Sequence, residues 1–340
     1  HKCGRNKSKK CRETALTLGA WNVRTLLDSA LGKRPDRRTA LVARELARYN
    51  VDVAALSETR LPGEGQLSEL GGGYTFFWSG RSSEERREAG VGFAIKSKLV
   101  PKLTSLPKGR NDRLMTLQIP LCQGKCATVI SAYAPTMTNP EEVKDKFYEE
   151  LDAVITAVPK SEKLVLLGDF NARVGTDQQA WNGTIGTQGV GKCNSNGLLL
   201  LKTCSMHDLV ITNTLFCLPA CNKTSWMHPR SKHWHLIDYV ITRSKDRQDV
   251  RVTKAMCGAD CWTDHRLIVS KFKFLIPPKR RPQGKKTLKR LNVAKLKQHK
   301  LVDELIADLD GKLLNLQIGD APVEDDWASL KEAVYATEIG

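Results

Sequence analysis

Apolar and polar positions along this chain fall into short, well-separated groups. Residues 15–24 (ALTLGAWNVR) begin as an alternating apolar run and finish in polar residues, the pattern of a strand that delivers Asn22 to its end. Leu41, Val42, Leu46 and Tyr49 then recur at helical spacing within 37–49, and VDVAAL (51–56) reads as a buried strand. This is a strand-helix-strand unit ending in Ser57-Glu58-Thr59. Shorter strands are predicted at 74–78, 90–95, 114–119 and 127–133, separated by Gly-rich or charged turns. The spacing of Val143, Phe147, Leu151, Val154, Ile155 and Val158 predicts an amphipathic helix over 141–158 with those residues inward. It hands over to KLVLLGDFN (163–171), an apolar strand that runs straight into an acid and an amide. Residues 172–196, rich in Gly, Asn and Thr, read as a long loop, 197–206 as a helix, and 209–213, 238–242 and 266–272 as further strands.

Strands outnumber helices and several adjoin through short turns, so the sheet is expected to be mixed rather than purely parallel. The globular domain should span 13–276, stopping at Pro277-Pro278, after a basic disordered arm at 1–12. Residues 277–291 read as a basic linker and 292–340 as a helical C-terminal segment. Within that segment residues 292–309 read as one amphipathic docking or linker helix with Val293, Leu296, Leu301, Leu305 and Leu309 on its apolar face, and a last helix is expected near Glu324. There is no internal repeat, no apolar run of the roughly 18 residues a membrane span needs, and no charged-then-apolar leader. The expectation is a nuclear or cytoplasmic protein, and a chain opening on His1 and closing on Gly340 suggests a piece of a longer reading frame.

Charge sharpens this picture. The net charge is +17, but residues 1–12 carry six Lys/Arg and 277–300 carry ten, with no acid in either, whereas 301–340 carry two against ten Asp/Glu. A moderately positive domain with two basic flanks suits a polyanion partner; solubilising tails are the plainer reading of such runs alone. Ten cysteines include three C-x-x-x-C pairs, Cys122/Cys126, Cys217/Cys221 and Cys257/Cys261. Zinc sites more often use two intervening residues, so reduced and mostly buried thiols are expected instead.

Six places share one design, an apolar strand followed at once by a group able to bind metal or phosphate. They are Asn22, Glu58, Tyr133, Asp169 with Asn171, Asp238, and Asp264-His265. Strand ends in mixed α/β folds collect such groups because the sheet fixes the backbone while loops leave side chains exposed. Phosphodiester cleavage needs a hard cation, a base for water and a donor for the phosphoryl oxygens. Glu58 offers an oxygen ligand of the kind Mg²⁺ prefers, Asp169 a group to activate water with Asn171 orienting it, and Asp238 an acceptor that would raise the His265 pKa. Singly, each has an ordinary reading: Glu58 as a first-turn acid, Asp169–Asn171 as a turn, Asp238 as a strand cap, Asp264-His265 as a loop pair. Together they would require coincidence.

The order of Asn in WNVRTL, Glu in LSETRL, Tyr in SAYAPT, Asp-x-Asn in LLGDFNARVG, Asp in LIDYVIT and Asp-His in TDHRLI resembles the endonuclease/exonuclease/phosphatase superfamily, over about residues 15–275. NVRTL, LSETRLPG, GVGFAI, NARVG, NxNGLLLL and Trp327-x-x-Leu-Lys further resemble the endonuclease of an RTE-type (BovB-like) non-LTR retrotransposon and host proteins of that ancestry. The resemblance implies an α/β (α+β) fold of the DNase I kind, a four-layer sandwich of two mixed β-sheets flanked by helices. It implies one Mg²⁺, with Mn²⁺ as a substitute, bound chiefly by Glu58, with Asn22 and Asn171 touching metal or phosphate and Asp264 an additional carboxylate near the metal. It implies that Asp169 positions the nucleophilic water, that Tyr133 touches phosphate, and that Asp238 and His265 sit beside the phosphoryl group. Abasic-site repair members carry an acid where this chain has Arg24, a departure that retrotransposon members share. Trp226, Arg230, Lys232 and His235, with Trp234 and His233 among them, fall in a loop where the family touches DNA; aromatics interleaved with bases suit nucleic acid, and core packing is the alternative for Trp. The expected activity is nicking of DNA that leaves a 3′-hydroxyl, priming a reverse transcriptase where the rest of such an element is intact. A repair endonuclease or phosphatase of the same fold, or a domesticated binding remnant, is the competing expectation.

Overall fold

The computed structural model describes residues 13–28, 37–85, 88–275, 299–314 and Trp327. Two parallel crossovers organise it. In the first, β1 (Glu13–Asn22) leads through α1 (Arg38–Arg48) to β2 (Val53–Ser57), which pairs parallel with β1. β3 (Glu64–Glu69), β4 (Tyr74–Ser79) and β5 (Val91–Lys96) then fold back antiparallel beside β2. β6 (Lys108–Gly109) and β7 (Leu114–Pro120) open the second sheet, in which β8 (Cys126–Tyr133), α2 (Glu141–Ala157) and β9 (Lys163–Asp169) repeat the parallel crossover. After a long loop come α3 (Ser195–Met206), β10 (Leu209–Ile211), a short hairpin of β11 (Trp226–Met227) and β12 (Trp234–His235), β13 (Asp238–Arg243), β14 (Val250–Met256) and β15 (Leu267–Leu275). The sheet orders are β14-β15-β1-β2-β5-β4-β3 and β10-β13-β9-β8-β7-β6.

Burial divides into three apolar layers. Between the sheets lie Leu18, Phe93, Val129, Leu167 and Phe272, side chains that alternate with outward ones along each strand. The outer face of the first sheet covers itself with α1 through Trp21, Val42, Leu46 and Phe76, and the outer face of the second packs α2 and α3 through Phe147, Leu151, Leu200 and Tyr239. The result is a sandwich of two mixed sheets flanked by helices. Asn194 starts α3 by accepting the Gly197 N–H at 2.7 Å, satisfying a backbone donor the first turn leaves open.

Several expectations need correction. Val143, placed inward by periodicity, is 38% exposed, and Lys144 is buried instead with its Nζ on Glu141 at 2.8 Å. Four of the free cysteines, Cys193, Cys217, Cys221 and Cys257, are exposed, and Cys122 is disulfide-bonded, so mostly buried, reduced thiols do not describe the set. β3, β6, β14 and the β11–β12 hairpin escape the hydrophobic pattern. Residues 278–340 form a separate unit, in which helix α4 (His299–Leu314) runs beyond the expected end at 309. The arm 1–12, the linker 277–291, residues 292–298 and, apart from Trp327, residues 315–340 lie outside the described residues. Among the described residues no helix is long and apolar enough to cross a membrane.

Candidate active site

The two crossovers aim their strand ends at one edge of the sandwich. Asn22 stands opposite Ser57 in the β1–β2 register and Tyr133 opposite Asp169 in β8–β9. β13 runs antiparallel to β9 and starts at that edge, with Asp238 opposite Asp169. The turn entering β15 brings in His265, whose carbonyl accepts the Trp21 indole N–H at 3.1 Å. The backbone that follows β1, β2 and β9 is unusual: Arg24, Glu58 and Asn171 have φ of 59°, 55° and 46°. Left-handed non-glycine residues persist where the surrounding structure over-determines them, and they cluster at functional sites. Gly168, just before Asp169, has φ +152°, and a Cβ there would overlap the Ala132 carbonyl oxygen.

Hydrogen bonds tie these residues together. Asn22 Nδ2 donates to Glu58 Oε1 at 2.8 Å and to Asp169 Oδ2 at 2.9 Å, bridging the carboxylates of the two sheets. Its Oδ1 accepts the Arg24 N–H at 2.9 Å, and Glu58 Oε2 accepts from Arg60 Nη2 at 2.8 Å. The Asn171 N–H donates to Asp169 Oδ1 at 2.8 Å, while Asn171 Nδ2 is held by the Ala134 carbonyl at 2.9 Å. His265 Nδ1 lies 3.0 Å from Asp238 Oδ2. Ligand atoms of Asp169, Asp238 and His265 all fall within 4.8 Å of one another, and all three residues are buried.

Burying two carboxylates and an imidazole this closely shifts their protons. Burial, then the like charge of Asp238, pushes Asp169 up, against the pull of His265 and Asn22. Burial alone would lower His265, but Asp238, with Asp169 and Asp264, raises it to about 9. Burial and the charges of Glu58 and Asp169 drive the Tyr133 phenol up, so it stays neutral, with the Arg113 guanidinium 5.1 Å over its ring. The donor set fits a divalent cation: Glu58 and Asp169 line the same cleft and are linked through Asn22, and Asp238 Oδ1 and Asp264 Oδ1 are buried with no hydrogen-bond partner.

These groups border a cleft of about 670 Å³, lined among others by Glu58, Asp169, Asn171, His265, Trp226 and His235. Asn22, Tyr133 and Asp238 stand behind its wall. Arg24 and Asp264 line it as a pair, Arg24 Nη1 lying 3.5 Å from Asp264 Oδ1. Arg230 and Lys232 do not line it and stay exposed on the turn of the hairpin, and the Trp234 ring lies under the Arg266 guanidinium at 3.3 Å. Arg173, Asn194 and His228 also line the cleft, and sequence reasoning passed over all three. Arg173 carried the one usable signal, a base four residues after Asp169 in DFNAR, just beyond the end of β9.

Residues 19–265 match the Endonuclease/Exonuclease/phosphatase family. Craniofacial development protein 2 of Bos taurus is 32% identical over 278 residues, covering 80% of this chain and 44% of that protein, so the chain spans less than half the length of this relative. The Xenopus laevis APE2 catalytic domain superposes with a TM-score of 0.55 at 15% identity, over 78% of this chain and 94% of that one. The endonuclease domain of TRAS1, a telomere-specific non-LTR retrotransposon, gives 0.50 at 15% identity, over 76% and 98%. At such identities these likenesses establish the fold, a DNase I-like sandwich of two mixed sheets flanked by helices.

Proposed function

The chain belongs to the endonuclease/exonuclease/phosphatase family, and from that premise we propose that it is a Mg²⁺-dependent DNA endonuclease of RTE-type retrotransposon ancestry that nicks one strand and leaves a 3′-hydroxyl. The observation that carries this reading is the buried Asp238–His265 pair set within 4.8 Å of Asp169, with Glu58 linked to Asp169 through the amide of Asn22. The basic excess of the chain and the likeness to TRAS1 support DNA as substrate and a retrotransposon as source.

Held by Glu58 with Asp169 alongside, a Mg²⁺ would neutralise charge on the scissile phosphate and the leaving oxygen. Asp169 takes the proton of the attacking water, its raised proton affinity matching that task. Asn171 presents its Oδ1 to that water, since its amide nitrogen is already engaged by Ala134. Because Nδ1 of His265 is tied to Asp238, Nε2 is the ring nitrogen that donates to a phosphoryl oxygen, and the raised pKa keeps the ring cationic at neutral pH. Tyr133 stays protonated and steadies Glu58. Displacement is in-line, with no covalent enzyme intermediate. Arg24, Arg173 and Asn194 hold strand phosphates along the cleft, His235 contributes a wall, and Arg230 and Lys232 meet the duplex at the hairpin turn. The protein works on DNA in the nucleus or cytoplasm, with a reverse transcriptase as its partner where the element is intact.

Supercoiled plasmid incubated with Mg²⁺ should relax through nicks with the wild-type chain and stay supercoiled with Asp169→Ala. An abasic duplex and a small phosphate ester belong beside it. Cleavage of only the abasic duplex would transfer the reading to repair, which Arg24 opposes, and DNA binding without any cleavage would leave a domesticated remnant.

A further inference from the structure

The indole of Trp226 is placed for a role that stacking does not describe. Its Nε1–H donates to Asp264 Oδ2 at 3.0 Å, and Arg24 Nη1 approaches the other oxygen at 3.5 Å. The indole thus holds Oδ2 by a hydrogen bond, while Oδ1 is buried without a hydrogen-bond partner and meets Arg24 only as an ion pair. The ring itself is surrounded by imidazoles, with His228, His235 and His265 centroids at 5.5, 6.0 and 6.2 Å. The backbone beside it clamps the two strands that carry the histidine pair. Ser225 is fully buried and its Oγ accepts the N–H groups of Ile237 and Asp238, each at 3.1 Å. The Ser225 carbonyl accepts the Arg266 N–H at 2.7 Å, and Trp226 itself bridges His265 across the backbone. Residues 225–226 thus sit between Asp238 on one side and the Asp264-His265 turn on the other.

We infer that Trp226 is a positioning residue for phosphodiester cleavage, acting through Asp264 to fix the turn that carries His265, rather than a platform on which a DNA base stacks. This rests on the endonuclease reading above. An indole N–H held by a carboxylate gives one defined orientation to Asp264, and Arg24 completes it from the opposite side. The arrangement explains how this chain accommodates an arginine at position 24: the guanidinium pairs with a carboxylate that Trp226 already holds in place, instead of facing the Glu58–Asp169 centre as an unpaired cation.

Trp226→Phe keeps a ring and removes the donor. Nicking by this variant should fall about tenfold in kcat, the scale of a missing hydrogen bond to a charged group. Duplex affinity of Trp226→Ala, which removes the ring, measured by fluorescence anisotropy with Ca²⁺ in place of Mg²⁺, should stay within about twofold, since loss of a stacking platform would instead cost roughly tenfold or more per base. Asp264→Ala should give a similar kcat loss, and the double variant should be no worse than Asp264→Ala alone, because both remove one interaction. A weakened duplex affinity in Trp226→Ala, or losses that multiply in the double variant, would overturn the inference. A readout without turnover separates it from the endonuclease reading: the Trp226 Nε1–H resonance, assigned by its absence in Trp226→Phe, should shift and exchange faster with water in Asp264→Ala. If that resonance does not respond, the bond to Asp264 is not made in solution and the inference fails even in an active enzyme. If it responds while wild-type chain leaves plasmid intact, the endonuclease reading has failed and the role of Trp226 in the reaction falls with it.

Discussion

Replacing Asp238 by Asn removes one charge from a fully buried position and leaves the shape almost unchanged. The carboxylate lies 3.0 Å from His265 Nδ1 and is the chief reason the imidazole holds its proton up to about 9 in spite of burial. The interval from 6.5 to about 9 corresponds to roughly 3 kcal/mol in favour of the cation. Without Asp238, burial acts against only the weaker pulls of Asp169 and Asp264, and the ring gives up its proton more readily. Nicking at pH 7.5 should drop about a hundredfold, as when a charge-stabilising donor is removed. The alkaline limb of the pH–rate profile, expected near 9 in the wild type, should move to lower pH in Asp238→Asn. Stability follows the same sign. The folded pKa lies above the unfolded one, so the pair stabilises the fold fully below 6.5 and loses that contribution as pH rises through about 9. Urea unfolding at pH 6 and pH 9.5 should therefore show the wild-type advantage over Asp238→Asn only at the lower pH. A variant that nicks within threefold (about 0.7 kcal/mol) of wild type at pH 7.5, or with a superimposable pH profile, would refute the argument.

Asp169→Ala and His265→Ala should each cut plasmid nicking by at least about a hundredfold, and near-normal rates in either would remove the roles assigned to them. Gly168→Ala places a Cβ into the Ala132 carbonyl at φ +152° and should cost roughly 2–4 kcal/mol in a denaturant titration; a loss under about 0.5 kcal/mol would mean that β9 adjusts freely there. Deleting 277–300, with its ten Lys/Arg, should weaken DNA affinity and flatten its salt dependence by about one in slope for each phosphate no longer neutralised, whereas an unchanged slope would make the segment a spacer.

Most strands and the first three helices were legible from apolar spacing alone, because each buries a continuous face: 163–169 is apolar almost throughout and is a central strand of its sheet. The strands that escaped are edges or short ribbons. β3 (EGQLSE) buries only Glu69 fully and β14 lies at the margin of the other end of that sheet, so neither carries a strong hydrophobic signal. Lys144 in place of Val143 escaped for a related reason, since periodicity cannot see that Glu141 and the Met137 carbonyl would hold the ammonium.

The site divides along similar lines. Residue type and strand-end placement are properties of local sequence, so Asn22, Glu58, Asp169, Asp238 and His265 could be named without coordinates. Their pairing could not, because Asn22 and Asp169 are 147 residues apart and meet only when two sheets face each other. Local patterning dictates which groups stand at strand ends. Packing decides which of them touch, which imidazole nitrogen is left for a phosphate, and that the indole of Trp226 turns to Asp264, since proton affinity and hydrogen-bond choice depend on burial and on neighbours that the chain brings together only by folding.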